Sequence, residues 1–238
     1  MSSLFEELDY RPTEIGELSL RRRRDLYTGN DIYEIKLGEE YLMSSRFTDS
    51  EVALGRLGVA EHPGSELDIV VGGLGLGCTA AAVLESQRVH SVLVVEVLQP
   101  VIDWHRRAIL PHGKELSSDP RCRFVAGDFF AMALSPDGGG FDPQQPDRTF
   151  DVVLLDIDHS PSIHLDSHNA ALYQLDGLQQ LSTHLKPGGV FGLWSNDPPD
   201  SAFTEKLKQV FPTARAEEIA FHNPLQNREA VQTVYLAG

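Results

Sequence analysis

The sequence predicts an α/β fold: a mostly parallel, seven-stranded sheet with helices on both faces, preceded by a small N-terminal β-hairpin unit. Three observations carry that prediction. From Leu67 onward, short Val/Leu/Ile-rich runs alternate with helix-like segments, as in a sheet covered on both faces. The first run leads into Gly72, Gly73, Gly75 and Gly77, directly before an alanine-rich stretch. The first ~60 residues instead hold β-prone runs close together, with no long helical pattern until their end.

Within that leading unit, "DIYEIKLGEEYLMSS" has two β-prone arms around "LGEE" and reads as a hairpin, and "LSLRRRR" supplies a further strand. "FTDSEVALGRLGVAEHP" reads as a helix. Thr48, Asp49 or Ser50 can cap it, Val52, Leu54, Leu57 and Val59 supply its apolar side chains, and His62, Pro63 and Gly64 end it. The expected division is a β unit with its linking helix over 1–62 and the α/β domain over 63–238. In the latter, strands are expected at 67–71, 91–96, 122–127, 150–156 and 189–195. "ARAEEIAF" and "VQTVYLA" add two more, which lack a good helix between them and fit an antiparallel hairpin at one sheet edge. Helices are expected in "CTAAAVLES", "PVIDWHRRAIL", "DFFAMAL", "NAALYQLDGLQQLSTHL" and "DSAFTEKLKQVF". The Gly/Pro-rich stretch 135–148 precedes a strand, so it belongs at the N-terminal edge of the sheet, away from ligands.

The chain has 238 residues and a formal net charge of −15. That charge argues against nucleic acid, whose affinity comes largely from Lys and Arg neutralising phosphates, and is compatible with a cationic substrate. No apolar run reaches the ~18 residues of a membrane span. The N-terminus shows no basic region followed by an apolar stretch, and Cys78 and Cys122 have no metal-type spacing, so a reduced cytoplasmic setting is expected. "RRRR" at 21–24 reads as a solvated edge or interface strip rather than an anion site.

Glycines between a strand and a helix allow a tight turn and expose backbone N–H groups to a ligand. Gly73-Leu74-Gly75-Leu76-Gly77-Cys78 departs from the dinucleotide fingerprint, its third glycine coming one place early, and no Lys-Ser/Thr of a phosphate loop follows. The next strands end in carboxylates. Glu96 lies nineteen residues after Gly77, where it can accept from both hydroxyls of a ribose; Asp128 can take an adenine amino group, and Asp156 ends the fourth strand. Each alone reads as a helix N-cap; four strand ends in register point to a nucleoside-type ligand.

The succession of glycine turn, "VVEVLQPVIDWHRR", "DPRCRFVAGDFF", "FDVVLLDIDHSP" and "LKPGGVFGLWS" resembles the spermidine synthases and their relatives within the Rossmann-like class I S-adenosylmethionine (SAM) methyltransferase fold, over roughly residues 31–196. The resemblance implies SAM or decarboxylated SAM as cofactor. Gly73, Gly75 and Gly77 would face its methionine part, Glu96 would hold its ribose and Asp128 its adenine, with Val97 and Phe129 also among the cofactor-binding residues. Asp156 would lie beside the reacting carbon. Relatives of this build commonly pair through the N-terminal region, so a homodimer is expected.

This chain departs from the family pattern at three places. "GGLGLG" replaces "GGGDGG", which puts Gly75 where an aspartate is expected to help hold the ammonium of the decarboxylated cofactor. "D-x-x-D-P" becomes Asp156-Ile157-Asp158-His159-Ser160-Pro161, and the acceptor-binding "Y-H/Q-E" falls on Ser50-Glu51-Val52. The expected reaction is transfer of an aminopropyl or methyl group to a small, amine-containing acceptor, with Asp156, Asp158 and His159 as candidate proton acceptors. The alternative is a non-catalytic nucleoside-binding or assembly protein. No metal is expected: His159, His164 and His168 match no strong ligand pattern. "SNDPPD" reads as a turn, Trp104, His105 and Trp194 as core or interface, and Tyr173 as helix packing.

Overall fold

Two sheets divide the strands of the computed structural model, which describes residues 4–13, 15–135, 139–223 and 228–238. The first is antiparallel, in the order β1 (Phe5–Thr13), β2 (Gly16–Arg24), β3 (Asp31–Leu37) and β4 (Glu40–Ser44). Leu20 pairs with Ile35 across β2 and β3, and both are buried. The arginine run lies on β2 and meets carboxylates of adjoining strands: Arg22 reaches Glu6 at 2.6 Å, Arg23 reaches Glu34 at 2.6 Å and Arg24 reaches Asp31 at 3.0 Å. β1 was not expected, because its side chains lack an apolar alternation. An anchor outside the sheet holds it: Asp9 Oδ2 accepts from the Trp104 indole N–H and from Arg107, each at 2.8 Å.

Helix α1 (Asp49–Glu61) links the sheets. Thr48 takes its N-cap position without a side-chain cap bond. Gly55 and Gly58 let α1 press against α2 (Cys78–Leu84) and the large sheet. A Cβ on Gly55 would lie 2.7 Å from the Thr79 carbonyl, and one on Gly58 2.5 Å from Leu154 Cδ2. This close approach brings Glu51, near the start of α1, to the functional edge of the domain.

The second sheet holds β5 (Leu67–Gly72), β6 (Val89–Glu96), β7 (Cys122–Ala126), β8 (Phe150–Leu155), β9 (Leu185–Ser195), β10 (Ala214–Asn223) and β11 (Arg228–Ala237). Its order is β10-β11-β9-β8-β5-β6-β7, and only β11 runs against its neighbours. The chain reverses direction across the sheet between β5 and β8, the switch point at which ligands bind in such folds. Helices α3 (Gln99–Arg106), α4 (Gly113–Ser118), α5 (Phe129–Ala133), α6 (Leu175–Ser182) and α7 (Ser201–Leu207) complete the domain. Alternation along β5 sends Ile69 and Val71 into one core with Leu54 and Trp104, and Val70 into the other with Phe129 and Tyr173. Helix α4 was not expected; its six residues carry a single buried leucine, Leu116, and no periodicity.

The described part of the 135–148 stretch lies at the N-terminal edge of the sheet, where Arg148 joins Asp68 at 2.8 Å and buried Asp142 at 3.1 Å. Residues 136–138 of that stretch, and 224–227 at the turn of the terminal hairpin, lie outside the described residues. Among the described residues, no helix is long and apolar enough to cross a membrane.

Candidate active site

Parallel registry aligns the strand tips. Gly72 sits opposite Val95 and Leu155, and Glu96 opposite Ala126. The residues that follow therefore emerge at one rim: Gly73 after β5, Val97 after β6, Gly127 and Asp128 after β7, Asp156 after β8. Gly73, Gly75 and Gly77 have φ of +92°, +46° and +87°, left-handed backbone that favours glycine. At Gly73 space forbids anything else, since a Cβ would lie 2.2 Å from the Asp156 carbonyl oxygen.

All three glycines line a cavity of about 70 Å³ together with Asp156 and His159. The remaining wall includes residues that sequence reasoning passed over or assigned elsewhere: Met43, Glu51, Cys78 and Trp194. Glu51 had a signal, because it falls within the triplet aligned to the family's acceptor-binding segment. Trp194 was expected in core or interface; it lines the cavity and donates its indole N–H to Ser50 Oγ at 2.8 Å.

Electrostatics concentrate at the Asp156 end. Its Oδ2 accepts from Thr79 Oγ1 at 2.6 Å. Burial raises the Asp156 carboxyl above the ordinary range, and Glu51 is raised by burial and by the Asp156 charge. Burial, then Glu51 and Asp156, push the Cys78 thiol up to about 12, so this cysteine is a neutral wall rather than a nucleophile. Beneath the turn, burial holds the His105 imidazole down to about 4. It is thus neutral at physiological pH, and its Nε2–H donates to the Gly75 carbonyl at 2.8 Å, bracing the turn from below. His159 points to the rim, where Nε2 lies 3.4 Å from Glu40 Oε1.

Further along the rim, Glu96 is buried, and accepts from the backbone N–H groups of Leu74 at 3.0 Å and Leu98 at 2.8 Å. These bonds use part of its acceptor capacity and fix its orientation. Asp128 caps α5, its Oδ1 accepting from the backbone N–H groups of Phe130 and Ala131, and the residue is exposed at the rim. Val97 is 60% exposed.

Two expectations need correction. Phe129 was grouped with the cofactor-binding residues, yet its ring is core: it lies under Gly72 and stacks on Phe141 with centroids 4.6 Å apart. Asp158 was expected on an open loop facing the acceptor. It is buried and does not line the cavity; Oδ1 accepts from Leu165 N–H at 2.7 Å and Asn169 Nδ2 at 2.9 Å, and Oδ2 from the Tyr173 hydroxyl at 2.8 Å. Three donors from the following segment satisfy this carboxylate and pull it inward. The histidines after it do not converge: His164 bonds to the Pro161 carbonyl and stacks on Tyr173, and His168 pairs with Asp166.

Comparison with known proteins agrees with this geometry. Residues 51–214 match the spermine/spermidine synthase domain. The spermidine synthase of Thermotoga maritima superposes with a TM-score of 0.72 over 97% of this chain and 72% of that one, at 18% identity. A spermidine synthase solved with the transition state analogue AdoDATO superposes with a TM-score of 0.68 over 97% of this chain and 71% of that one, also at 18% identity. At that identity the superpositions establish the fold, and the domain match establishes the family. The matched region runs from Glu51 on α1 to Ala214 at the start of β10 and so takes in the glycine turn, Glu96, Asp128 and Asp156: the chain is an alkyl-transferring enzyme and belongs to the spermine/spermidine synthase family.

Proposed function

We propose that this enzyme transfers an aminopropyl group from decarboxylated SAM to a small amine. The observation that carries the reading is the position of Asp156, a half-buried carboxylate at the tip of β8, against the glycine turn and on the wall of the cavity. The cavity is far smaller than the ~300 Å³ at which whole-ligand pockets begin. It suits the alkyl end of the donor, with ribose and adenine lying along the rim at Glu96 and Asp128. The acceptor nitrogen attacks the carbon on the sulfonium, a C–N bond forms, the C–S bond breaks, and methylthioadenosine leaves. Asp156, held by Thr79, takes the proton the acceptor ammonium gives up. Its raised affinity for a proton suits it to that task near neutral pH. His159 at the rim meets the entering acceptor.

Methyl transfer from SAM is the second reading. It is favoured by Gly75, which offers only backbone where the family resemblance expects a carboxylate. Incubation with each donor and a panel of diamines, followed by chromatography, separates the two. Methylthioadenosine as product supports aminopropyl transfer, and S-adenosylhomocysteine as product supports methyl transfer. Asp156→Asn should lower kcat at least 100-fold with little change in methylthioadenosine affinity. We also infer a homodimer pairing through the first sheet, where Leu4, Tyr10 and Ile15 are exposed; sedimentation velocity tests it.

A further inference from the structure

The strongest unassigned feature is the second carboxylate of the cavity. Glu51 reaches it from α1, near enough to Asp156 for that charge to act on it, and no Lys or Arg lines the cavity among the described residues. Desolvated carboxylates need a cation or a proton. Ser50 Oγ accepts from the Trp194 indole at 2.8 Å and lies 2.7 Å from Glu51 Oε2, which anchors the Glu51 carboxyl on the cavity wall. Burial and the Asp156 charge both disfavour ionised Glu51, so a ligand ammonium entering the cavity meets two carboxylates that gain a charge partner from it.

We propose that Glu51 is the specificity-determining residue for the donor: with Asp156 it admits an alkyl chain ending in an ammonium and rejects one that also carries a carboxylate. This deepens the aminopropyl reading and rests on it. Gly75 cannot supply the charge, and the space above it is filled by Met43, whose methyl would lie 2.3 Å from a Cβ built there. Glu51 delivers a carboxylate to the same cavity from α1. A SAM carboxylate would face both acidic groups with no Lys or Arg among the described lining residues to pair with and only the His159 imidazole at the rim, whereas the decarboxylated chain brings only the cation they lack.

Equilibrium binding of decarboxylated SAM, SAM and methylthioadenosine to the wild type, Glu51→Gln and Glu51→Asp tests this. The wild type should prefer decarboxylated SAM over SAM at least 100-fold. Glu51→Gln should cut that preference at least tenfold, and Glu51→Asp should keep most of it. Methylthioadenosine, which lacks the charged chain, should bind all three proteins within about twofold and so reports an intact fold and nucleoside rim. If the wild type prefers decarboxylated SAM and Glu51→Gln keeps the full preference, the assignment of Glu51 falls while the aminopropyl reading stands. If the wild type prefers SAM, or binds none of the three, both fall.

Discussion

Met43 of β4 rests directly on Gly75 of the glycine turn, with its Sδ 2.5 Å and its methyl 2.3 Å from where a Gly75 Cβ would stand. The first sheet thereby closes the cavity that the second sheet builds. The contact gives a double-mutant test. Gly75→Asp, which supplies the carboxylate expected by resemblance, should destabilise the protein by about 1–3 kcal/mol from left-handed backbone and the clash. Met43→Ala in the same chain should relieve part of that cost, giving a favourable coupling energy in urea unfolding. Additive costs would show that the two residues do not meet.

Glu51 predicts a dependence of stability on pH. Burial, Asp156, and to a lesser extent Asp49 raise its folded pKa. Below about pH 4.3, the ordinary Glu value, both folded and unfolded chains hold the proton and nothing is lost. As pH rises above that, the unfolded chain releases its proton while the folded chain keeps it, so stability falls until the folded pKa is passed. Glu51→Gln removes this penalty. It should be about as stable as wild type at pH 4 and more stable by about 1–3 kcal/mol at pH 8, read as a rise of several degrees in Tm. An unchanged Tm difference across that range would refute the desolvated pair.

Asp158 separates positioning from proton transfer. Asp158→Ala leaves Leu165 N–H, Asn169 and the Tyr173 hydroxyl without their acceptor and should cost about 3 kcal/mol in chemical denaturation. Asp158→Asn keeps an acceptor at Oδ1 and should retain most of kcat. Loss of kcat in a fully stable Asp158→Asn would instead make it the base.

Asp9 predicts acid lability of the first sheet. Burial opposes its ionisation, but hydrogen bonds from Trp104, Arg11 and Arg107 outweigh that and hold the carboxyl at about 2. A depressed folded pKa gives stability that is present above about pH 4 and lost as pH falls toward 2. Asp9→Asn should therefore destabilise the protein by about 1–2 kcal/mol at pH 7, with the difference shrinking below pH 4. Trp104 emission should shift to the red as its indole N–H loses the carboxylate.

What the sequence disclosed follows from how local each signal is. The parallel strands were legible because both faces are covered, leaving continuous runs such as Ile69-Val70-Val71. The rim was legible because parallel registry places every strand tip at one edge, so the residue after each run is a site candidate. Glu51 was quoted only as part of an altered motif, because its meaning depends on how closely Gly55 and Gly58 let α1 approach α2 and Leu154. Asp158 was misread because its donors lie seven to fifteen residues further on, in a loop without periodicity. β1 escaped notice because its anchor, Asp9 to Trp104, spans 95 residues.

The cavity wall is of mixed origin. Groups suited to an adenosine come from the strand tips of the large sheet, whereas Met43 and Glu51 come from the short unit before it and its connecting helix. On the proposed reading, substitutions in that leading stretch should change which donor reacts and leave methylthioadenosine affinity unchanged.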